Sequence, residues 1–168
     1  MGYRFTVLSA ENVTLGTGNV LAAFQTAASA ATAAGIVKVK RVEITQNGST
    51  TLAMIRGQLG TRDLAGTFTT TATTPVNISP IGAGSGLAGN VAPAGGAARS
   101  GTNSSADSGG TYTGIHNFNF ANTSGYLWKP DPEEEIYVPP GVMFIVRLLA
   151  TPGTTTGWTF SVFLGENV

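Results

Sequence analysis

Hydrophobic and polar positions alternate most clearly over residues 36–46, which read IVKVKRVEITQ. Apolar residues take every second position up to Val39 and again from Val42, and the positions between them are charged or polar. A period of two is typical of a β-strand that buries one face. Because the apolar phase moves by one residue between Val39 and Val42, the pattern also predicts a β-bulge near Lys40 and Arg41.

The segment IYVPPGVMFIVRLL, residues 136–149, predicts two strands separated by a sharp corner. Pro-Pro-Gly at 139–141 can continue neither a ladder nor a helix. The apolar run that follows, residues 142–149, indicates a core strand. A buried helix over 142–150 is the alternative, but its β-branched residues would lose rotamer freedom in a helix. We therefore expect two strands of an antiparallel sandwich around this corner.

Further short segments have the alternation or the β-branched and aromatic content of strands. They are residues 3–9, 68–74, 113–121, 125–128 and 158–164, and an edge piece formed by Val76, Ile78 and Ile81 between Pro75 and Pro80. Two of them predict core positions by their phase. These are Ile115, Phe118 and Phe120 in the first, and Trp158, Phe160, Val162 and Leu164 in the second, which places Thr159, Ser161 and Phe163 on its opposite face.

The sequence also predicts the structure of three further segments. Asn47-Gly48 is a strong hairpin signal, and it predicts that residues 51–59 pair with the strand before it, with Leu52 and Met54 on one phase. Residues 20–34 are rich in alanine and end before Gly35, which predicts a short helical turn or a loop. Residues 82–110 contain many Gly, Ala and Ser and few large apolar side chains, which predicts a long flexible loop or an arm that orders against a partner.

Together these elements predict an all-β fold for residues 1–168 as a single domain. We expect about eight to ten short strands with little helix, arranged as an antiparallel β-sandwich or a barrel. The chain length of 168 residues is sufficient for one domain with its own core.

Composition and charge limit the function classes. Only 11% of the residues are charged, and nine Lys and Arg balance nine Asp and Glu. A chain with no net charge is a poor candidate for nucleic acid or anionic membrane, and a neutral surface favours association with copies of itself or with a large partner. The absence of cysteine excludes disulfides and thiolate metal sites. No apolar run of about 18 residues predicts a membrane span, and residues 1–10 do not resemble a signal peptide.

Few residues carry candidate chemistry. The single histidine, His116, has no second histidine or cysteine to complete a metal shell, and we expect it to be a surface or interface side chain rather than a catalytic base. An acidic group precedes the strand at 136, and a solvated turn is the expected role, with calcium as the alternative. It consists of Asp131, Glu133, Glu134 and Glu135. Trp128 and Trp158 can line a sugar site, but core or interface packing is the main expectation. The sequence predicts no enzyme, no catalytic, metal or cofactor-binding residue, and no cofactor.

Three segments in order resemble a known group of proteins. These are VKVKRVEITQNGSTTLAMIRGQL, then GYLWKPDPEEEIYVPPGVMFIVRL, then WTFSVFLGEN. Their order is similar to small jelly-roll proteins encoded among the head genes of tailed bacteriophages, which act as capsid decoration or cement proteins. The resemblance is strongest over residues 36–62 and 125–166, and the long segment 82–110 departs from it.

The resemblance implies a jelly roll that forms a homotrimer on the outer surface of a phage head. It implies the major capsid protein and the chain itself as partners, and a location on the virion after synthesis in the bacterial host cytoplasm. The alternative is a carbohydrate- or receptor-binding jelly-roll module of a phage fibre, with Trp128 or Tyr126 as a stacking platform. A β-sandwich hydrolase is a remote third hypothesis, because no histidine, cysteine or carboxylate set converges in the sequence.

Overall fold

A computed structural model describes residues 3–16, 19–25, 37–63, 65–72, 76–77, 99–139 and 141–167. Twelve strands and no α-helix occur in this part of the chain. The strands are β1 (Tyr3–Val13), β2 (Val20–Gln25), β3 (Val37–Gln46), β4 (Met54–Arg62), β5 (Thr67–Ala72), β6 (Val76–Asn77), β7 (Arg99–Ser108), β8 (Tyr112–Ala121), β9 (Tyr126–Trp128), β10 (Ile136–Val138), β11 (Met143–Leu148) and β12 (Trp158–Asn167).

The strands form two antiparallel sheets with jelly-roll connectivity. Sheet A has the order β10-β3-β12-β1-β6, and β9 also pairs with β3. Sheet B has the order β5-β7-β2-β11-β4-β8. The pairs β1 with β12, β2 with β11, β3 with β9 and β10, and β4 with β8 are nested along the chain, as in one long hairpin wound across two sheets. The predicted all-β jelly-roll sandwich is confirmed.

The two sheets enclose one hydrophobic core. Sheet A contributes residues such as Leu8, Val42 and Phe160, and sheet B contributes residues such as Leu59 and Phe144, and all five are at most 1% exposed. They occupy alternate positions of their strands, so each sheet turns one set of side chains inward and the other outward. Burial of these inward sets is the main favourable term that holds the sandwich together.

Two strands of the segment between β4 and β8, β5 and β7, form a ribbon that covers the outer face of β2 and β11 in sheet B. Strand β7 pairs with β2 at its start and with β5 along its length. Phe68 of β5 packs in a second hydrophobic cluster, whose other members come from β2 and β11 and are all 0% exposed: Val20, Ala23, Met143 and Ile145. Met143 and Ile145 alternate along β11 with residues of the inner core, so this cluster lies on the outer face. The ribbon of β5 and β7 therefore folds over sheet B.

Several predicted details are confirmed. Strand β3 carries its bulge at Lys40, because Arg41 is opposite Phe163 and Val39 is opposite Leu164. The Pro-Pro-Gly segment is the corner at which the chain leaves β10 in sheet A and enters β11 in sheet B. The edge position of β6, which contains Val76 and pairs only with β1 among the described strands, also agrees with the sequence, and Ile78 and Ile81 of the predicted edge piece lie outside the described residues.

The prediction of a helical turn or loop at residues 20–34 is wrong for its first part. Val20–Gln25 is strand β2, and the remainder of that segment lies outside the described residues. All six residues of β2 are buried, because the inner core covers one face and the ribbon covers the other. A strand that is buried on both faces does not alternate, so the period-two signal was absent.

The predicted hairpin at Asn47-Gly48 is also wrong. Strand β3 belongs to sheet A and β4 to sheet B, so the turn carries the chain between sheets. The backbone N–H of Asn47 donates instead to the carbonyl of Gly157, at 2.8 Å. In the segment that follows the turn, Leu52 and Met54 are each 69% exposed. Ile55 and Leu59 are buried instead.

Two further predictions are corrected. Ile115 is 50% exposed rather than in the core, because it is the extra residue of a bulge between β8 and β4, whereas Phe118 and Phe120 are buried as predicted. The loop predicted for residues 82–110 is a strand over Arg99–Ser108, and residues 82–98 lie outside the described residues. Together with β2, this strand explains why the structure has more strands than the eight to ten expected.

Candidate functional site

The outer face of sheet A carries large apolar side chains that no described element covers. We call it the open face and define it by seven side chains from β1, β3, β9, β10 and β12: Phe5, Val7, Lys38, Arg41, Leu127, Tyr137 and Phe163. Phe5 is 44% exposed, Tyr137 is 50% exposed and Leu127 is 60% exposed. Singly exposed apolar residues are ordinary, but a group of them on one sheet face marks a surface that contacts something.

The register of sheet A brings these side chains into rows. Tyr137 is opposite Lys38, which is opposite Gly165, which in turn is opposite Phe5. In the next row, Phe163 lies between Arg41 and Val7. Since residues directly opposite on one face lie about 5 Å apart, each row is a continuous surface.

Two cations of the open face lie over aromatic rings. The ammonium of Lys38 is 4.8 Å from the centroid of the Tyr137 ring, and the guanidinium of Arg41 is 3.7 Å from that of Phe163. Arg41 also forms an ion pair with Glu43 at 3.2 Å. These contacts place cationic groups of β3 over the rings of Tyr137 and Phe163, and Glu43 offsets the charge of Arg41.

A cluster of aromatic rings closes the gap between the sheets beside the open face. It comprises His116, Phe118 and Phe120 from β8 and Tyr126 and Trp128 from β9. Tyr126 stacks on Phe118 with ring centroids 3.9 Å apart, and its hydroxyl is 2.9 Å from Nε2 of His116. Burial raises the pKa of Tyr126 to about 12. The phenol is neutral at physiological pH, and the histidine tautomer decides which of the two groups donates the hydrogen bond.

The structure places His116 as a partly buried member of this cluster, with its ring centroid 6.0 Å from that of Trp128. Trp158, the other tryptophan, is 0% exposed, and its Nε1 donates to the carbonyl of Thr154 at 3.1 Å. Trp158 is thus a core residue rather than a sugar platform, as the main expectation held. Trp128 remains partly exposed at the edge of the cluster.

The acidic residues before β10 lie on a loop that leaves the edge of sheet A and returns to it. Strands β9 and β10 pair with successive parts of β3, and residues 129–135 connect them. Glu135 is bound to the bulged Lys40 at 2.5 Å, whereas Asp131, Glu133 and Glu134 are exposed. Within the described ranges, no three His, Asp or Glu side chains are arranged to hold a metal ion.

A buried arginine anchors both ends of the ribbon over sheet B. Arg62 is 1% exposed, and its guanidinium donates to the carbonyls of Asp63 at 2.9 Å, Ala65 at 3.1 Å, Thr67 at 3.3 Å and Ser108 at 3.4 Å. The first three precede or begin β5, and the fourth ends β7. Hydrogen bonds from the N–H groups of Thr111 and Ala65 lower the pKa of the adjacent Asp63 carboxyl.

Sequence reasoning did not find the open face, although part of its signal was present. The opposite phase of β12 placed Phe163 away from the core, and Phe5 shares a phase with Val7 in β1. The sequence did not show the pairing of β9 and β10 with β3, and of β3, β12 and β1 with one another, which brings these segments into one surface.

No described segment forms a helix long and apolar enough to cross a membrane. No family model, no curated protein and no solved structure matches the chain. The resemblance to phage decoration proteins accordingly stays a prediction from the sequence.

Proposed function

We propose that the chain is a structural virion protein that decorates the outer surface of a phage head. In this proposal it binds as a homotrimer, contacts the major capsid protein and stabilises the capsid lattice, without an enzymatic reaction or a cofactor. It would be made in the host cytoplasm and act on the assembled shell. The proposal combines the resemblance over residues 36–62 and 125–166 with the surface properties of the fold.

The observation that carries the proposal is the open face. The β5 and β7 ribbon covers β2 and β11 on the outside of sheet B, where Met54 of β4 and Ile115 of β8 stay exposed, and the open face of sheet A exposes Phe5, Leu127 and Tyr137. Exposed apolar groups of this size are unfavourable in water, and they become favourable when a partner covers them. A protein whose role is adhesion gains binding free energy from such a surface.

The low charge of the chain supports the same role. Only 11% of the residues are charged and the formal net charge is zero, so copies repel one another weakly when they are packed on a lattice. A trimer that contacts three capsid subunits also binds more tightly than one chain does, because the second and third contacts are intramolecular. Cementing a shell then requires only moderate affinity at each contact.

The test is binding to empty heads assembled from the major capsid protein of the same phage. We expect the protein to cosediment with the heads, to saturate at a fixed number of copies, and to raise the temperature at which the heads open. Albumin with the same heads controls for trapping. Failure to cosediment at micromolar concentration, in protein that is folded by circular dichroism, would contradict the proposal.

A second candidate function is carbohydrate or receptor binding by a fibre module. It is favoured by a groove of about 340 Å³ next to the aromatic cluster, whose lining offers ring, hydroxyl and carboxylate groups to a sugar. The groove is lined by Glu43, Thr45, Ser124, Gly125, Tyr126 and Leu127. Binding on a glycan array that is lost in Tyr126→Ala, whose ring lines the groove, and retained in Phe5→Ala, on β1 outside the groove, would favour this function over decoration.

A further inference from the structure

A cavity of about 250 Å³ lies at the end of the sandwich where β3 ends and β4 and β12 begin. Its walls come from the connection between β3 and β4, from the loop between β11 and β12, and from Asn122, which follows β8. It shares no lining residue with the groove at Tyr126. One water takes roughly 30 Å³ in the liquid, so the cavity has room for a small molecule.

Two buried amide side chains line this cavity, and hydrogen bonds to the backbone hold both of them. Gln46 is 9% exposed, and its Nε2 donates to the carbonyl of Thr156 at 3.2 Å. Asn122 is 4% exposed, its Oδ1 accepts from the N–H of Ala53 at 2.9 Å, and its Nδ2 donates to the carbonyl of Thr51 at 3.0 Å. These bonds fix the orientation of each amide, so both are preorganised.

Each amide keeps hydrogen-bonding capacity that the described residues do not use. Oε1 of Gln46 accepts no hydrogen bond within the part of the chain that the structure describes. A side-chain amide nitrogen has two N–H groups, and among the same residues only one of those of Asn122 has an acceptor. Buried amide groups without a partner are unfavourable. The cavity therefore offers one acceptor and one donor to a ligand.

The rest of the lining determines which ligand fits. All ten residues that line the cavity are uncharged, so an ion would find no opposite charge there. The hydroxyls of Ser49 and Thr154 can donate and accept, and Ile55 and Pro152 add apolar surface. A sugar ring has the matching groups, because its hydroxyls pair with amides and its C–H groups pack on aliphatic side chains. Sites for drug-sized ligands measure roughly 300–1,000 Å³, so the volume suits a single sugar ring.

We propose that this cavity binds one neutral sugar residue, free or at the end of a glycan, with Oε1 of Gln46 and Nδ2 of Asn122 hydrogen-bonded to hydroxyls of its ring. The inference goes beyond the proposed function, because binding of the sugar requires no capsid. It also differs from the second candidate function in its place on the molecule, since the groove of that candidate lies at Tyr126.

Titration with simple sugars tests the ligand class. Glucose, galactose and mannose and their methyl glycosides are titrated into the wild type and followed by ligand-observed NMR. We expect neutral sugars to bind, and glucuronate and glucosamine to bind at least about tenfold more weakly, because the lining has no charge to pair with theirs. Binding of the methyl glycosides indicates the end of a glycan as the source, whereas binding of the free sugars alone indicates a free sugar.

Three variants change the lining. Gln46→Met removes the acceptor and keeps the length of the side chain, and Thr154→Val removes a hydroxyl and keeps its shape. Gly153→Leu fills the cavity, because a Cβ at Gly153 meets no atom within 4 Å. We expect each to weaken binding at least about tenfold, which is the effect of losing one hydrogen bond or the space for the ring.

Thr155→Val is the matched control, because Thr155 is the next residue of the same loop and does not line the cavity. It is expected to bind as the wild type does. Circular dichroism establishes that each variant is folded, and Thr154→Val and Gly153→Leu keep the test available if Gln46→Met is not.

Three results would overturn the inference. The first is no binding of any neutral sugar to the folded wild type at about 50 mM, well above the millimolar affinity expected for so small a contact. The second is an equal loss in Thr154→Val and Thr155→Val. The third is loss of binding in Tyr126→Ala with full affinity in Thr154→Val, which would place the sugar in the groove and support the second candidate function.

The outcomes are separate from those of the head-binding test. A wild type that cosediments with heads but binds no sugar contradicts this inference and leaves decoration intact. A wild type that binds sugar in the cavity but does not bind heads supports this inference and contradicts decoration.

Discussion

Tyr126 is a partly buried residue that links the two sheets through its ring and its hydroxyl. Its ring stacks on Phe118 and its hydroxyl contacts His116, and burial is the cause of its raised pKa. Loss of the phenolic proton in the folded protein would place a negative charge among aromatic rings. The cluster therefore depends on a neutral tyrosine.

This dependence predicts instability at high pH. The pKa of Tyr126 is about 12 in the folded protein, against 10.0 for an unperturbed tyrosine, so the neutral form contributes its full stability below pH 10 and loses it as the pH rises from 10 to about 12. We expect urea midpoints of the wild type to fall more steeply over this range than those of Tyr126→Phe. Tyr137→Phe, at a half-exposed ring, is the control and is expected to behave like the wild type.

Arg62 is the residue on which the attachment of the ribbon depends most directly. Its guanidinium satisfies four backbone carbonyls at the two ends of the ribbon. Arg62→Met keeps an apolar stem but leaves these acceptors without a charged donor, which we expect to cost about 2–4 kcal/mol of unfolding free energy in urea titrations. Arg56→Met on the same strand is exposed and is expected to stay within about 0.5 kcal/mol. Equal losses in the two variants would contradict the anchoring role.

At the scale of elements, the ribbon of β5 and β7 makes the two outer faces of the sandwich different. Phe68 on β5 is 0% exposed in the cluster under the ribbon, whereas Phe5 on the open face is 44% exposed. A phenylalanine-to-alanine substitution on each face therefore compares how much the two rings contribute to the free energy of unfolding. Phe68→Ala is expected to cost about 3–5 kcal/mol, and Phe5→Ala about 1 kcal/mol. Chemical denaturation gives both values, and a loss below about 1.5 kcal/mol for Phe68→Ala would show that the ribbon does not cover sheet B.

The sequence was sufficient for elements whose signal is local. β3 and its bulge, the Pro-Pro-Gly corner and the alternation of β12 were all predicted, because one face of each strand meets the core and the other meets solvent. Strand β2 does not show this alternation, because both of its faces are buried, and its alanines indicated a helix instead.

Strand β7 and the connection at Asn47-Gly48 depend on distant parts of the chain. Strand β7 reads RSGTNSSADS and has no large apolar residue, so its pairing with β2 and β5 is its only structural signal. Gly48 has a φ of +98°, as its turn signal required, but the next strand joins the other sheet because β11 and β8 are its partners there. Local patterns identify a turn, whereas long-range pairing decides which strands it connects.

At the scale of the whole molecule, the candidate site is a consequence of topology. Five strands build the open face, and only the jelly-roll order brings β9 and β10 beside β3, and β3 beside β12 and β1. The neutral composition predicted a protein that associates with others, but the surface that does so could be identified only from the pairing of the strands. The open face is thus a property of sheet A as a unit rather than of any motif.

If association buries the open face, then the thermal stability of the protein must depend on its concentration. Unfolding of a folded oligomer into separate chains is opposed by mass action, so the midpoint temperature rises with total protein. Over a hundredfold range we expect a rise of about 5 °C for the wild type. Arg56→Glu, at an exposed cation on β4 of sheet B away from the open face, is expected to follow the wild type. Calorimetry or dye-free fluorescence of the two tryptophans measures these midpoints, and a concentration-independent wild type would mean that the open face is not buried between copies in solution.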